Sequence, residues 1–195
     1  HKTLHQSFLP MARRHPRRIA IADATTGELS YFKALVGSIV FARKLKKILD
    51  DAPMTGVLVP PSVGGTLTNI ALQMLGKVPV NLNYTTTPET MAACARQCGI
   101  TQVLTSKRFL ERLPLEVPGE TILLEDIRES VTGKERLVGM LLAVLMPARL
   151  MDWYFGALKR TDADIATAIF SSGSEGEPKG IMLSHRTILT QTATA

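Results

Sequence analysis

The stretch TGVLVPPSVGGTLTNIALQMLGKVPVNL, residues 55–82, predicts the fold class of this chain. It opens with a short apolar run and closes with another at 78–82, and each run is typical of a buried strand. Between the two runs, a Pro-Ser-Gly turn leads into apolar residues at helical spacing, which continue up to Gly76, a natural C-cap. A strand–helix–strand unit of this kind indicates a parallel sheet that is covered by helices.

The same alternation extends to both sides of this stretch. The sequence predicts helices over 3–15, 32–49 and 88–97, strands at 19–22, 103–104, 122–124, 165–170 and 181–183, and a hairpin partner at 29–31. We therefore expect an α/β fold with a mostly parallel sheet, helices on both of its faces, and short β-hairpins.

Composition excludes some classes of protein. A hydrophobic content of 45% in 195 residues allows a large core and excludes a disordered chain. The net charge of +6 lies largely in two basic clusters: Arg13, Arg14, Arg17 and Arg18, then Arg43, Lys44, Lys46 and Lys47. No aromatic residues alternate with these charges, so we expect no nucleic-acid partner. Solvated helix faces are the simpler interpretation, and an anionic lipid or phosphorylated ligand is the alternative.

The two cysteines do not indicate a metal or redox site. Cys94 and Cys98 lie four residues apart, on one face of a predicted helix, and no second ligand pair accompanies them. The four histidines show no metal-binding spacing either. We expect free thiols in a reducing compartment, and therefore a cytoplasmic protein.

Residues 137–158 allow two interpretations. Leu137 to Met146 is almost wholly apolar, but Pro147 interrupts it well before the roughly 20 residues that span a bilayer. A helix covered by protein is the simpler expectation. The alternative is a helix on a membrane surface, at the inner face of the membrane, because Trp153, Tyr154 and Phe155 cluster as interfacial residues do.

The segment SSGSEGEPKG, residues 171–180, predicts a phosphate-binding loop between two strands. Its glycines allow positive φ and a close approach of the backbone to a ligand, and successive N–H groups in such a turn form a concave anion site. Lys179 adds a compact positive charge and the serines add hydroxyl donors. The candidate ligands of a nucleotide phosphate are Ser171, Ser172, Gly173, Ser174, Glu175, Gly176, Lys179 and Gly180.

Other interpretations of this loop stay open on chemistry alone. It is not a Walker loop, because Gly180 follows Lys179 where that motif has glycine before the lysine. The dinucleotide fingerprint G-x-G-x-x-G is absent as well. A flexible hairpin loop with incidental serines would have a similar composition.

Residues 170–185 resemble the phosphate-binding signature of the adenylate-forming superfamily, which includes acyl-CoA synthetases, luciferases and peptide-synthetase adenylation domains. That signature is roughly S/T-S-G-S/T-T-G-x-P-K-G-V-x-x-S/T-H. The chain matches it at Ser172, Gly173, Ser174, Gly176, Pro178, Lys179, Gly180, Ser184 and His185. Leu29-Ser30-Tyr31 is similar to a further element of the family, so residues 1–195 would be the N-terminal part of an adenylation domain.

The resemblance implies a reaction and its partners. The loop would hold the β- and γ-phosphates of ATP with Mg²⁺ while a carboxylic acid attacks the α-phosphate, and the acyl group would then pass to CoA or acyl carrier protein. Ser184 and His185 also match, but Ser184 is a good N-cap and we expect the pair to begin a helix. A non-catalytic nucleotide-binding module and a membrane-surface domain are the alternative functions.

Glu175 departs from the family pattern, which has threonine or serine there. A carboxylate repels a triphosphate unless a cation lies between them, so Glu175 would face Mg²⁺ through water or turn to solvent. The Ser-Glu-Gly variant, with the apolar segment 142–147 before it, resembles the branch of acyl-ACP synthetases that are joined to lysophospholipid acyltransferases. This branch implies a fatty acid as the substrate and a role in phospholipid acylation.

Several family elements have no counterpart in the 195 residues. We find no Y-G-x-T-E-like segment, no T-G-D-like aspartate and no lid domain with a catalytic lysine. A phosphate loop fixes only one end of ATP and does not align the carboxylate with the α-phosphorus. We therefore assign no catalytic residue within this chain and expect the 195 residues alone to be inactive.

Overall fold

The computed structural model describes residues 2–171 and 178–193. The helices are α1 Leu4–Arg14, α2 Tyr31–Ile48, α3 Val63–Met74, α4 Pro88–Gln97, α5 Lys107–Arg112, α6 Leu124–Glu129, α7 Gly133–Leu145, α8 Ala148–Phe155 and α9 His185–Ala193. The strands are β1 Ile19–Asp23, β2 Gly27–Ser30, β3 Met54–Leu58, β4 Val78–Asn81, β5 Gln102–Thr105, β6 Glu120–Leu123, β7 Ile165–Ser171 and β8 Lys179–Ser184.

Six of these strands form one sheet in the order β6-β5-β3-β4-β7-β8. All neighbouring pairs are parallel except β7 and β8, which form an antiparallel hairpin at the edge. Strands β1 and β2 form a separate hairpin. The predicted α/β fold with a mostly parallel sheet is therefore confirmed.

Helices cover both faces of the sheet, as predicted. Val57 and Leu58 are consecutive in β3 and belong to two different hydrophobic clusters, because successive side chains of a strand point to opposite faces. The first cluster packs α1, α2, α3, α6, α7 and α8 against one face, and the second packs α4 against the other. The sheet is thus a central layer with its core on either side.

Polar caps set where several helices begin. Ser62 accepts a hydrogen bond from the Gly65 amide at 3.1 Å, which fixes the start of α3 at the carboxyl end of β3. Thr132 and Glu135 form a capping box at the start of α7. Past α3 and α4, Gly76 and Gly99 have φ of 68° and 60°, which glycine adopts without strain.

Some predicted elements were wrong in extent. Leu124 was predicted in a strand but begins α6, and α5 was not predicted at all. Helix α7 begins at Gly133, four residues before the apolar run, because the capping box extends it toward the N-terminus. Pro147 separates α7 from α8, as expected from its missing N–H group.

Both cysteines are free thiols, as predicted. Cys94 is buried within α4, and Cys98, the C-cap residue of that helix, is half-buried. Burial raises the pKa of both thiols.

Candidate functional site

The candidate site lies where the β7–β8 hairpin turns. Strand β7 runs parallel to β4, so its last residue, Ser171, lies at the carboxyl edge of the parallel strands. Ligands of open α/β sheets bind outside this edge. The hairpin prediction is confirmed in the two strands that flank the loop.

A polar cluster that the sequence did not single out joins β7 to its neighbour. Thr167 donates its hydroxyl to the Pro79 carbonyl at 2.8 Å and accepts from the Asn81 amide at 3.3 Å. The side-chain amides of Asn81 and Asn69 bond each other at 3.0 and 3.1 Å. An asparagine at the end of a parallel strand is the sequence signal that could have identified this cluster.

The predicted phosphate ligands fall into two groups. Ser172, Gly173, Ser174, Glu175 and Gly176 lie outside the described residues. The backbone of Ser171 pairs with Lys179 across the hairpin, and Phe170 pairs with Gly180.

Two of the candidate ligands, Lys179 and Gly180, lie on β8. The Lys179 side chain is exposed, and no carboxylate of residues 2–171 or 178–193 forms an ion pair with it. A Cβ atom on Gly180 would lie 3.1 Å from the ring of Phe170, so only glycine fits there without a shift. The hairpin therefore brings an exposed ammonium group to the mouth of the loop.

The exit of the hairpin is fixed by hydrogen bonds. Ser184 accepts from the Thr187 amide at 3.1 Å, so the prediction that Ser184 caps a helix is confirmed. Arg186 binds both carboxylate oxygens of Asp162, at 2.8 and 3.2 Å, and this pairing lowers the pKa of Asp162. These contacts hold the start of α9 against the segment that leads into β7.

His185 is part of this anchor. It is only 4% exposed, and its Nδ1 accepts a hydrogen bond from the Leu4 amide at 3.2 Å. Burial lowers the pKa of His185 to about 4, so its imidazole is neutral near pH 7. His185 is also the first residue of α9, as the sequence predicted.

A second cluster of buried polar side chains lies beside α1. Asp152 accepts from His5 Nε2 at 2.9 Å and from the Gln6 amide at 2.8 Å, and Thr3 lies 3.1 Å from the other ring nitrogen of His5. This order of groups is similar to a nucleophile, base and acid. However, Thr3 is fully buried and the adjoining cavity of about 10 Å³ has room for a single water. The group therefore clamps α1 to α8.

The side chains of the described residues also bear on whether the chain could hold a metal ion. No group of three His, Cys, Asp or Glu side chains in the described part of the chain could hold a metal ion. Glu175, which the sequence predicted to face Mg²⁺ through water or turn to solvent, lies outside the described residues.

Comparisons with known proteins agree with this geometry. The family model for the AMP-binding enzyme matches residues 9–195. The chain is 28% identical to a 4-coumarate–CoA ligase-like protein of Oryza sativa over 94% of its length, and 27% identical to tyrocidine synthase 3 of Brevibacillus parabrevis over 96%. It spans 34% of the first relative and 3% of the second.

Solved structures share the fold. The N-terminal subdomain of Klebsiella oxytoca NpsA superposes with a TM-score of 0.70 at 16% identity, covering 95% of this chain and 42% of that one. VinN superposes with a TM-score of 0.76 at 17% identity, covering 99% of this chain and 48% of VinN.

Proposed function

The chain belongs to the family of AMP-binding enzymes, and we propose that it is the N-terminal part of the adenylation domain of an ATP-dependent acid–thiol ligase. The observation that supports this most is the position of Ser171 and Lys179, the strand ends that flank the loop, at the carboxyl edge of the parallel strands. The loop composition and the family match point to the same ligand, a nucleotide with a polyphosphate chain.

The proposed reaction has two steps. An oxygen of the substrate carboxylate bonds to the α-phosphorus of ATP as the bond to the bridging oxygen breaks, and pyrophosphate leaves. A thiol then adds to the acyl carbonyl and loses its proton, and AMP leaves as the thioester forms. The ligase thereby replaces the poor leaving group of the carboxylate, an oxide ion, with a good leaving group, AMP.

In this proposal the loop residues hold the terminal phosphates and take no part in bond making. Their amides and hydroxyls donate to phosphate oxygens, and Lys179 balances negative charge. Bound Mg²⁺ would neutralise charge between phosphate oxygens. The exposed ammonium of Lys179 fits this role, because it has no carboxylate partner among the described residues.

We propose a fatty acid as the substrate and CoA or acyl carrier protein as the acceptor, with phospholipid acylation as the use of the product. Two sequence features support this branch: Glu175 in the loop and the apolar segment 142–147. The named relatives are a coumarate–CoA ligase-like protein and a peptide synthetase, so hydroxycinnamic and amino acids are the competing substrates.

ATP–pyrophosphate exchange by the full-length enzyme tests the substrate class. Fatty acids of several lengths, 4-coumarate and a mixture of amino acids are supplied in separate assays. The proposal expects exchange with fatty acids only. Exchange with coumarate or an amino acid would agree with a ligase but contradict the proposal that its substrate is a fatty acid. No exchange with any acid would favour a non-catalytic nucleotide-binding module.

The same assay on the 195 residues alone tests the domain assignment. We expect no exchange above background, because no residues for aligning the acid with the α-phosphorus were found in this sequence. Clear exchange would show that the chain holds a complete active site.

Replacing Glu175 by threonine tests its relation to magnesium. If the carboxylate faces the ion through water, Glu175→Thr should raise the Mg²⁺ concentration needed for half-maximal exchange roughly tenfold. Glu111→Thr, which removes an exposed carboxylate from α5, is the control. An unchanged magnesium dependence would mean that Glu175 points to solvent.

We also propose a cytoplasmic location for this enzyme. Free thiols at Cys94 and Cys98 support it, because thiols stay reduced in that compartment.

A further inference from the structure

Helix α7 has its small residues inside and its large apolar residues outside. Gly139 and Ala143 are its buried residues and face α2. A Cβ atom on Gly139 would lie 2.6 Å from Cγ2 of Val40, so the two helices pack closely through the glycine. The reverse arrangement is usual for a helix on a core, because burial of large side chains stabilises the fold.

The outward side of α7 and the segment after it expose large apolar side chains. Leu137, Leu141, Val144 and Leu145 are 54%, 50%, 59% and 71% exposed. The full set, which we call the outward surface, is Leu137, Val138, Met140, Leu141, Val144, Leu145, Leu150, Trp153 and Leu158. Six of the nine lie within residues 137–145 of one helix, and exposed apolar residues grouped in this way mark interaction sites.

Of the three aromatic residues at 153–155, which the sequence grouped as a candidate interfacial cluster, one is exposed. Trp153 is 66% exposed, but Phe155 is buried in the core. Tyr154 is half-buried, with the Lys46 ammonium 5.3 Å from the centre of its ring. Trp153 is thus the aromatic side chain of this segment that is available to a partner.

The exposed charged residues of the segment that carries the outward surface have one sign. Between 133 and 159 the exposed charged residues are Lys134, Arg136, Arg149 and Lys159. The two acids of this segment are bound within the protein, Glu135 to Lys44 at 2.9 Å and Asp152 to His5. The segment 133–159 therefore combines exposed apolar side chains with exposed positive charge.

We propose that the outward surface docks on an anionic lipid bilayer, with α7 lying in the plane of the interface. Leucines with basic neighbours and an exposed tryptophan suit the boundary between acyl chains and anionic headgroups. No helix in the part of the chain that the structure describes is long and apolar enough to cross a membrane. This inference goes beyond the proposed function and does not depend on it.

A lipid surface fits better than an acidic protein. Protein interfaces fix a register through directional polar contacts, but the outward side of α7 past Lys134 and Arg136 offers aliphatic groups only. A fluid bilayer needs no such register, since apolar burial and surface charge are enough to hold a helix on it.

Vesicle flotation of the full-length enzyme tests the proposal. The enzyme is mixed with vesicles of phosphatidylcholine alone, or of phosphatidylcholine with phosphatidylglycerol, and the floated fraction is measured at two salt concentrations. We expect flotation with the anionic vesicles, less at high salt. Leu141→Gln should weaken this partitioning roughly fivefold, whereas Leu113→Gln, a matched exposed leucine after α5, should not.

Charge is tested by a second pair of variants. Arg149→Glu should weaken binding to anionic vesicles roughly tenfold, and Arg108→Glu on α5 should leave it unchanged. The proposal is overturned if the full-length enzyme floats with neither vesicle, as it would if another segment or an acidic protein covers α7. It is also overturned if Leu141→Gln and Leu113→Gln bind equally. Pyrophosphate exchange by Leu141→Gln should stay at the wild-type level. A loss of vesicle binding can then be distinguished from a loss of ligase activity.

Discussion

His185 shows how one side chain ties the end of the β7–β8 hairpin to a distant part of the chain. Its Nδ1 accepts from the Leu4 amide, so the residue that follows β8 contacts the first turn of α1. Only an unprotonated Nδ1 can accept this bond. Burial and the nearby His5 both oppose a positive charge on the ring, and its pKa falls to about 4.

We predict that this contact makes stability depend on pH. Between pH 6.5, the ordinary pKa of histidine, and about 4, the unfolded chain binds a proton at His185 that the folded chain does not. Falling pH therefore favours unfolding, and from pH 6.5 to about 5 the free energy of unfolding should drop by about 1–2 kcal/mol on this account.

The measurement is urea unfolding across this pH range for wild type and His185→Asn. Asparagine keeps an acceptor near the position of Nδ1 but does not titrate. The variant should lose part of the pH slope, and the histidines common to both proteins cancel in the difference. Equal slopes in the two proteins would mean that His185 has the same pKa in the folded and the unfolded chain.

At the scale of elements, α7 depends on close packing against α2. The Cβ of alanine at position 139 would overlap the side chain of Val40, which is stiff at χ1. We predict that Gly139→Ala lowers the free energy of unfolding by about 1–2 kcal/mol, although alanine favours helix.

Gly133→Ala is the matched control for this prediction. Gly133 is the first residue of the same helix, and a Cβ there meets no atom within 4 Å. This variant should gain about 0.5 kcal/mol through helix propensity alone. If urea unfolding shows both variants equally stable, α7 does not pack against α2 as described.

The elements also show what the sequence could and could not predict. Long periodic segments such as α2 and the run from 55 to 82 were predicted because their apolar spacing repeats over several turns. Helices α5 and α6 have six residues each, too few for a period to be visible. The Thr132 capping box was readable from the sequence, and it explains the true start of α7.

Part of the candidate site could likewise be predicted from the sequence, and part could not. The hairpin and the Ser184 cap were predicted from local composition. The contact between Leu4 and His185 joins residues 181 positions apart, and only the fold brings them together. The pair formed by Asn81 and Thr167 depends on the order of strands, which places β7 beside β4.

At the scale of the whole molecule, the β7–β8 hairpin forms one edge of the sheet. β8 is an edge strand, and Ile181 and Met182 are 44% and 59% exposed. Each edge strand is contacted by the helix that follows it, β6 by α6 and β8 by α9. Residues 171 and 179, between which the proposed phosphate loop runs, thus lie in this edge hairpin, and the side chain of Lys179 is exposed.

The central claim is that this loop binds the terminal phosphates of ATP, and calorimetric titration of the full-length enzyme with MgATP tests it most directly. Lys179→Ala should raise the Kd for MgATP roughly tenfold to a hundredfold, because that factor corresponds to the free energy of one charge-assisted hydrogen bond. Lys159→Ala, at an exposed lysine before β7, should bind as the wild type does. Equal affinity of Lys179→Ala and wild type would contradict the claim.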